Sequence, residues 1–275
     1  LETRDDERLK DEWNELNDDE RQVALECEAL LSESVRQCVF QEDAWYAMRR
    51  VIRSYKTSPP KRRIKEVVLS LEELAEFRLL HKFAELSQND VQVRDLCFQL
   101  LNTWRAIQFN GYDIYGHPII YEDAGATVNI FADIENVALE TLLAGRAYAT
   151  QLLQALKVHA TNTLPLRGAG PAYNTIVPPI LKHVYIVDLK ALRLTDLTAQ
   201  VRKRFRFVLT TLETVYPEVV FRTYLINAPN SLTFLWLIVS SWLHPTTRAK
   251  IRVLPAGRDP ERIRDHLIAD GFPRD

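Results

Sequence analysis

The sequence contains few of the residues that build disulfide frameworks, collagen-like repeats or membrane spans. It has three cysteines, eight glycines and thirteen prolines in 275 residues. Cys27, Cys38 and Cys97 are too few for a disulfide framework and show no metal-ligand spacing. The longest candidate apolar run, residues 232–239, is far shorter than the roughly 20 residues that a membrane span needs. We therefore expect a reduced cytosolic compartment and no integral membrane segment.

The remaining composition is typical of a globular chain, with 47% hydrophobic and 26% charged residues. These values exclude a wholly disordered chain. The net charge of −2 hides an asymmetry: residues 1–45 carry 5 basic and 15 acidic side chains, and the remainder carries 30 basic and 22 acidic ones. The basic remainder can lie against the phosphates of a membrane or a nucleic acid, and an ordinary solvated surface is the alternative.

Residues 1–104 have an almost entirely helical pattern. Asn17 and the acids after it predict a helix start, and apolar residues from position 23 to 39 follow with helical spacing. A second helix is expected over 43–54 and is followed by a break at Pro59 and Pro60. A capping-box pattern predicts a third helix start near Ser70, and a fourth helix is expected over 90–104.

After residue 105 the pattern alternates between strands and helices. Strands are expected at 118–121, 184–187, 219–226 and 251–254. Helices are expected at 134–159, 196–215, 230–243 and 259–269. This alternation is typical of a mostly parallel sheet with crossover helices.

No motif for an enzyme class is present. The sequence has no dinucleotide-binding glycine fingerprint, P-loop, zincin helix or nucleophile elbow. His183 precedes a strand with no carboxylate beside it, which favours a pocket or core role. Asp188 ends the same strand with no nucleophile in view, which favours a structural turn. We therefore expect no catalytic residues and no metal site.

Residues 230–243 form the most apolar expected helix. Nine of these fourteen residues are large and apolar, and they surround the helix rather than form one stripe. Such a helix is a core element or meets an apolar phase. Pro245 can open a new helical turn, in which Thr247 and Lys250 are spaced to share a face. A hydroxyl and an ammonium beside free N–H groups favour a phosphate, so this segment suits a phospholipid.

Five ordered blocks resemble the CRAL-TRIO lipid-binding domain, in particular the phosphatidylinositol transfer proteins of the secretory pathway. The blocks are GHPIIYEDAG, IVDLK, YPE, YLINAP and LHPTT, at residues 116–125, 186–190, 216–218, 224–229 and 243–247. The resemblance covers about residues 105–273, and residues 45–80 are more weakly similar to the family's small N-terminal domain. It implies an α/β fold with an N-terminal helical unit, 1–104. A mostly parallel sheet with crossover helices then encloses an apolar lipid pocket, 105–275.

The resemblance implies a headgroup site for phosphatidylinositol. Three residues match the family's inositol-binding positions: Glu218, Thr247 and Lys250. The family's headgroup arginine falls at Tyr55, so that contact is lost or is taken by Arg53 or Lys56.

The expected pocket differs from the family pattern. Glu122 matches an acidic pocket residue. Four positions that contact a choline lipid in the family carry other residues here: Ile120, His183, Tyr185 and Leu212. Phosphatidylcholine is therefore not expected to be preferred, and a sterol, another apolar molecule or a different phospholipid is the expected second ligand. We also expect His183 and Tyr185 to point to opposite faces of their strand, so that only one lines the pocket.

The family likeness also implies a gate. In this family the helix that matches residues 230–243 moves between closed and membrane-engaged positions. The expected gate side chains are Phe234, Trp236, Leu237, Val239 and Trp242. The expected steering charges for an anionic membrane are Arg202, Lys203, Arg204, Arg248, Lys250 and Arg252.

The leading hypothesis is a soluble, monomeric lipid-binding protein without a cofactor or a nucleic-acid partner. It extracts, exchanges or presents phosphatidylinositol at Golgi, endosomal or other cytosolic membrane faces, in lipid transport or phosphoinositide signalling, as a peripheral membrane protein. One alternative is a regulatory or membrane-targeting module of a larger signalling protein, without transfer activity. An α/β hydrolase is a third hypothesis, which the absence of a nucleophile–base pair disfavours.

Overall fold

The computed structural model describes residues 16–39, 44–80, 107–163, 180–228, 236, 239–243, 245–255 and 260–273. The chain divides into two compact units. The first comprises Leu1–Asp90 and Thr210–Val219, and the second comprises Val91–Leu209 and Val220–Asp275. The first unit thus takes in a short segment from later in the chain.

Four helices make up the described part of the first unit before residue 81: α1, Asp18–Leu30; α2, Glu33–Val39; α3, Ala44–Ser54; and α4, Pro60–Leu80. The predicted start of α1 is confirmed. The Asn17 side chain accepts a hydrogen bond from the Glu20 N–H at 2.9 Å, and the Glu20 carboxylate accepts one from the Asn17 N–H at 3.1 Å. This reciprocal capping box satisfies two backbone donors that the helix leaves unpaired.

Two local predictions in this unit were wrong. The apolar spacing over residues 23–39 belongs to two helices, because the chain leaves helical geometry at Leu31. Ser70 does not start a helix but lies buried inside α4. Its neighbours Val67, Leu71 and Leu74 are also buried, so this stretch is a continuous packing face that happens to contain a capping-box sequence.

The second unit contains a five-stranded sheet. Its strands are β1, Ile107–Tyr112; β2, Pro118–Asp123; β3, His183–Asp188; β4, Val220–Ala228; and β5, Ile251–Pro255. They lie in sequential order, with β1 antiparallel to β2 and all later pairs parallel. The sequence analysis missed β1, because its glycine-containing stretch resembled a turn. Gly111, at φ 82°, belongs to this strand, and the register shifts between Phe109 and Tyr112.

Helices connect the parallel strands, as parallel pairing requires. In the described segments they are α5, Ala124–Ala132; α6, Leu139–Thr163; α7, Ala199–Val215; and α8, Pro245–Arg248. A further helix, α9, Pro260–Ala269, follows the last strand. Asp123 caps α5, since its side chain accepts from the Ala126 N–H at 3.0 Å. The helix α5 was not predicted, and α6 starts five residues later than the sequence pattern predicted.

The predicted fold class is confirmed: a helical N-terminal region precedes a mostly parallel sheet with crossover helices. Alternation along the strands places Ile119, Val184 and Tyr224 on one face and Ile120, Glu122 and Tyr185 on the other. Among the helices that the structure describes, none is long and apolar enough to cross a membrane.

Candidate functional site

A buried polar cluster lies on the sheet face that carries Ile120 and Glu122. Ile120 pairs in register with Tyr185, and Glu122 lies two residues further along β2. Arg146 of α6 reaches Glu122 with two nitrogens, at 2.5 and 3.2 Å. Thr127 of α5 donates its hydroxyl to Glu122 at 2.5 Å, and the Tyr185 hydroxyl also donates to Glu122. Both carboxylate oxygens of Glu122 are therefore already engaged within the protein.

The electrostatics of this cluster favour a charged pair. The Glu122 and Arg146 side chains are only 8% and 12% exposed. Burial raises the pKa of Glu122, but the Arg146 charge and the three hydrogen-bond donors outweigh burial and hold that pKa below its usual range. Burial and the adjacent Glu122 charge raise the pKa of Tyr185. The cluster therefore carries no net charge at neutral pH, and Glu122 does not offer a free carboxylate to a cationic headgroup.

His183 lies on the same face as Tyr185, so the expectation that they point to opposite faces was wrong. Residues two apart on a strand share a face, and the two ring centroids lie 5.8 Å apart. His183 is 4% exposed, and its Nδ1 atom makes no hydrogen bond within the described residues. Burial and then the positive charges of Lys157, His117 and Lys250 hold the pKa of His183 well below its usual value. The imidazole is therefore neutral at physiological pH.

Two buried lysines lie in this region of the second unit, close enough to His183 to act on it electrostatically. Lys157 of α6 is 1% exposed and Lys250 is 8% exposed, and both act electrostatically on His183. A buried cation is costly unless a negative or hydrogen-bonding group compensates it.

The predicted pair Thr247 and Lys250 lies at the start of β5. The expected helical turn is α8, which ends at Arg248, and residues 249–250 follow it as a turn. The Lys250 N–H donates to the Thr247 carbonyl at 3.0 Å, and the Lys250 carbonyl accepts from the Thr223 N–H at 3.1 Å. The turn thereby fixes the Lys250 backbone against the edge of β4.

The other predicted headgroup residues belong to the first unit. Glu218 has a φ of 58°, a left-handed conformation that is uncommon outside glycine. Arg53 pairs with Glu20 through its Nε atom at 3.3 Å and a terminal nitrogen at 3.5 Å, in a largely buried arrangement. Lys56 is exposed, and its carbonyl accepts from Arg63 at 2.9 Å. Arg53 and Lys56 are the two residues expected to replace the family's headgroup arginine. The Arg53 side chain is paired with Glu20, and the Lys56 side chain is exposed to solvent.

The remaining predicted pocket and gate residues are described in part. Leu212 is half-buried on α7, in the first unit. Of the gate residues, Phe234 and Leu237 lie outside the described residues, and Trp236, Val239 and Trp242 are half-buried. The Arg206 guanidinium lies 6.0 Å from the centre of the Trp242 ring. The gate role of this segment stays a prediction.

Sequence reasoning missed Arg146, Thr127 and Lys157, although α6 carried a signal for two of them. Arg146 and Lys157 are eleven residues apart, which is close to three helical turns, so both lie on one side of α6. Isolated cations on one face of a long apolar helix indicate a buried polar contact. In the described part of the chain, no group of three or more His, Cys, Asp and Glu residues is placed to hold a metal ion.

Comparison with known proteins identifies a family for the chain and individual proteins to which it is similar. The family model described as "CRAL/TRIO domain" matches residues 105–275. The protein named Protein real-time, from Drosophila pseudoobscura pseudoobscura, is 33% identical over 89 residues, which are 32% of this chain and 13% of that protein. The chain thus spans a small part of that relative's length.

The solved structure titled "Crystal structure of Sfh5" is similar in fold. It superposes with a TM-score of 0.57 and 14% sequence identity, over 88% of this chain and 82% of that chain. At this identity the similarity concerns the fold alone. It agrees with the helical region and the mostly parallel sheet described above.

Proposed function

Because the chain belongs to the CRAL/TRIO domain family of lipid-binding proteins, we propose that it binds phosphatidylinositol and exchanges or presents it at cytosolic membrane faces. A second, more apolar lipid is the exchange partner. The observation that carries the choice of headgroup is the buried positive charge of Lys250 and Lys157 beside the neutral His183. These charges attract the phosphodiester that phosphatidylinositol and phosphatidylcholine both carry, but they repel the quaternary ammonium of choline, which the neutral inositol ring lacks.

The Glu122 cluster supports the same choice. A quaternary ammonium binds best where a carboxylate forms an ion pair with it or where aromatic rings surround it. Here Arg146 already neutralises Glu122, and the remaining acceptor positions of that carboxylate receive hydroxyl hydrogens. Phosphatidylcholine therefore gains no ion pair at this wall, and we expect it to be a poor ligand.

The energetics of lipid binding favour the exchange of lipids without a chemical reaction. Acyl chains move from a bilayer into a protein pocket at little cost, because both environments are apolar. Selectivity then depends on the headgroup, where one charge-assisted hydrogen bond to phosphate contributes about 1.5–3 kcal/mol, or about ten- to a hundredfold in affinity. The side chain of Lys250 is the proposed donor of that bond, and Thr247 is its proposed neighbour at the phosphate.

The decisive variant is Lys250→Ala. We expect it to lower phosphatidylinositol binding about ten- to a hundredfold, while binding of an apolar lipid stays unchanged. The measurement incubates the protein with vesicles of mixed lipid, repurifies it and quantifies bound lipids by mass spectrometry. Arg264→Ala, an exposed cation on α9, is the matched control. Equal phosphatidylinositol loading in Lys250→Ala and Arg264→Ala would contradict the proposal.

A second function, a membrane-targeting module of a larger protein without transfer activity, is favoured by one observation. The related stretch in the Drosophila protein is only 13% of that protein's length, so it lies within a much longer chain. Transfer of fluorescent phosphatidylinositol between donor and acceptor vesicles separates the two functions. Catalysed transfer supports the first, whereas stable lipid binding without transfer supports the second.

A further inference from the structure

The segment 189–209 carries a strong excess of positive charge. It contains six basic residues and one acidic residue, Asp196, in a chain whose net charge is −2. The segment leaves the sheet after β3 and forms the first half of α7, and all of it belongs to the second unit. A charge excess of this size on one segment attracts anionic partners.

The basic side chains of this segment differ in burial: some are exposed, and others are buried or half-buried and donate to backbone carbonyls. Arg204 is buried and donates to the Phe131 carbonyl at 3.1 Å and to the Val137 carbonyl. Arg202 is half-buried and donates to the Leu197 carbonyl at 2.6 Å. The expectation that Arg204 steers the protein to a membrane was therefore wrong, and buried Lys250 is equally unsuited to that role. Four cations of the segment are exposed: Lys190, Arg193, Lys203 and Arg206.

On α7 the exposed cations share a face with an aromatic side chain. Lys203, Arg206 and Phe207 are spaced at i, i+3 and i+4, which places them side by side on a helix. Phe207 is 43% exposed. The opposite face of α7, with Val201 and Val208, is buried. The helix is therefore anchored by one side and presents cations around an exposed ring on the other.

A second aromatic residue lies beside this face. The Arg206 guanidinium lies over the Trp242 ring, 6.0 Å from its centre, which is within the range of a cation–π contact. Trp242 is half-buried. Arginine and lysine next to exposed aromatic rings are the composition of helices that lie at a membrane–water interface.

We infer that the face formed by Lys203, Arg206 and Phe207, with Lys190 and Arg193 beyond its N-terminal end, docks onto anionic phospholipid membranes. The inference deepens the proposed function, since a protein that loads lipid must first meet a bilayer. The exposed phenylalanine favours a membrane over a nucleic acid or an acidic protein, because a bilayer offers both anionic headgroups and an apolar layer. The basic side chains supply attraction and Phe207 supplies shallow insertion.

The test is vesicle co-sedimentation of the full chain with two vesicle types, phosphatidylcholine alone and phosphatidylcholine with phosphatidylserine. Lys203→Gln/Arg206→Gln is expected to weaken binding to the anionic vesicles about thirtyfold, which corresponds to about 1 kcal/mol for each cation. The loss should shrink as salt is added, because salt screens exposed charges. Arg262→Gln/Arg264→Gln removes the same charge from exposed positions of α9 and should bind as the wild type does.

Phe207→Ser separates insertion from attraction. It should weaken binding to both vesicle types by a factor that salt changes little. Equal losses for the α7 and α9 double variants would overturn the inference, as would binding that shows no preference for anionic vesicles. Stronger binding to a single-stranded oligonucleotide than to vesicles, lost in the α7 double variant, would overturn it in favour of a nucleic-acid surface.

Phospholipid occupancy of the same variants distinguishes this inference from the proposed function. The α7 double variant should still carry phosphatidylinositol when the lipid is supplied in detergent micelles. If the wild type docks on anionic vesicles through α7 but binds no phosphatidylinositol, the proposed function fails and the docking surface stands.

Discussion

Replacing Arg146 by methionine isolates the energetic contribution of the buried Glu122 cluster. The change keeps most of the side-chain volume but removes the charge that compensates Glu122, together with its hydrogen bonds at 2.5 and 3.2 Å. Breaking a buried ion pair from one side costs about 3–5 kcal/mol, since the other charge stays buried without a partner. We therefore expect Arg146→Met to lower the free energy of unfolding by that amount.

The matched control is an ion pair of the same residue types at the surface. Arg62 pairs with Glu66 at 2.9 Å on α4, and the Arg62 side chain is 74% exposed. Exposed pairs at this spacing contribute about 0.3–0.5 kcal/mol, so Arg62→Met should change the free energy of unfolding little. Urea unfolding at neutral pH, followed by circular dichroism, measures both variants.

Two further measurements make the reasoning refutable. In the Arg146→Met background, Glu122→Gln should restore stability, because it removes the uncompensated charge. Its amide oxygen accepts from one of the two hydroxyls, Thr127 or Tyr185, and its NH2 group can donate to the oxygen of the other. The defect of Arg146→Met should also shrink as the pH falls, since burial then raises the pKa of Glu122 and protonation neutralises it. Equal destabilisation by Arg146→Met and Arg62→Met, or no rescue by Glu122→Gln, would refute the buried-pair account.

In the wild type, in contrast to Arg146→Met, acidification lowers the stability that the Glu122 cluster contributes. The pKa of Glu122 lies below its usual range in the folded protein. The cluster therefore contributes stability that is complete above the pKa of an unfolded glutamate and is lost as the pH falls through the depressed folded value. Wild-type stability should accordingly drop on acidification below the pKa of an unfolded glutamate, whereas Arg146→Met should regain stability at higher pH, where Glu122 with its raised pKa becomes protonated.

Three further predictions concern a tightly packed glycine, a helix cap and the preference between two lipids. Gly125→Ala should destabilise the protein by about 1–3 kcal/mol in thermal unfolding, because the new methyl group would lie 2.7 Å from the Ala191 Cβ and 2.9 Å from its carbonyl oxygen. A gain in stability, as is usual for this change inside a helix, would contradict that packing. Asn17→Ala should cost about 1 kcal/mol through loss of the capping box, and an unchanged urea midpoint would contradict it. Phosphatidylcholine transfer between vesicles should be slower than phosphatidylinositol transfer, and equal rates would contradict the charge argument.

The parallel strands and most of the crossover helices, though not α5, were predictable because their signals are local. Each parallel strand has a short apolar core bounded by turn residues, and each crossover helix has its own amphipathic spacing. The strand β1 gave no such signal, because Gly111, the next-to-last residue of Ile107–Tyr112, is typical of a turn. Its pairing with β2 is what makes this stretch a strand, and pairing partners are not encoded locally.

The pocket residues were only partly predictable for a related reason. The strand positions Ile120, Glu122 and Tyr185 follow from family blocks and alternation. The partner of Glu122 comes from α6, whose rotation about its own axis depends on tertiary packing. Sequence spacing indicates that Arg146 and Lys157 share a side of that helix, but not that the side faces the sheet.

The turn at Thr247 and Lys250 shows the limit of spacing arguments. Three-residue spacing predicts a shared helix face, and both residues do lie near a helical turn. The chain leaves α8 at Arg248 and enters β5 at Ile251, so the Lys250 backbone bonds both to Thr247 in the turn and to Thr223 in β4. The end of a four-residue helix depends on where the next strand must begin, which the spacing does not encode.

The measurement that tests the central claim most directly is native mass spectrometry of the purified full chain after exposure to vesicles that contain equal amounts of phosphatidylinositol and phosphatidylcholine. The account predicts one bound phospholipid per chain, with phosphatidylinositol in excess, and loss of that excess in Lys250→Ala. A protein that stays empty, or that carries phosphatidylcholine in preference, would contradict it.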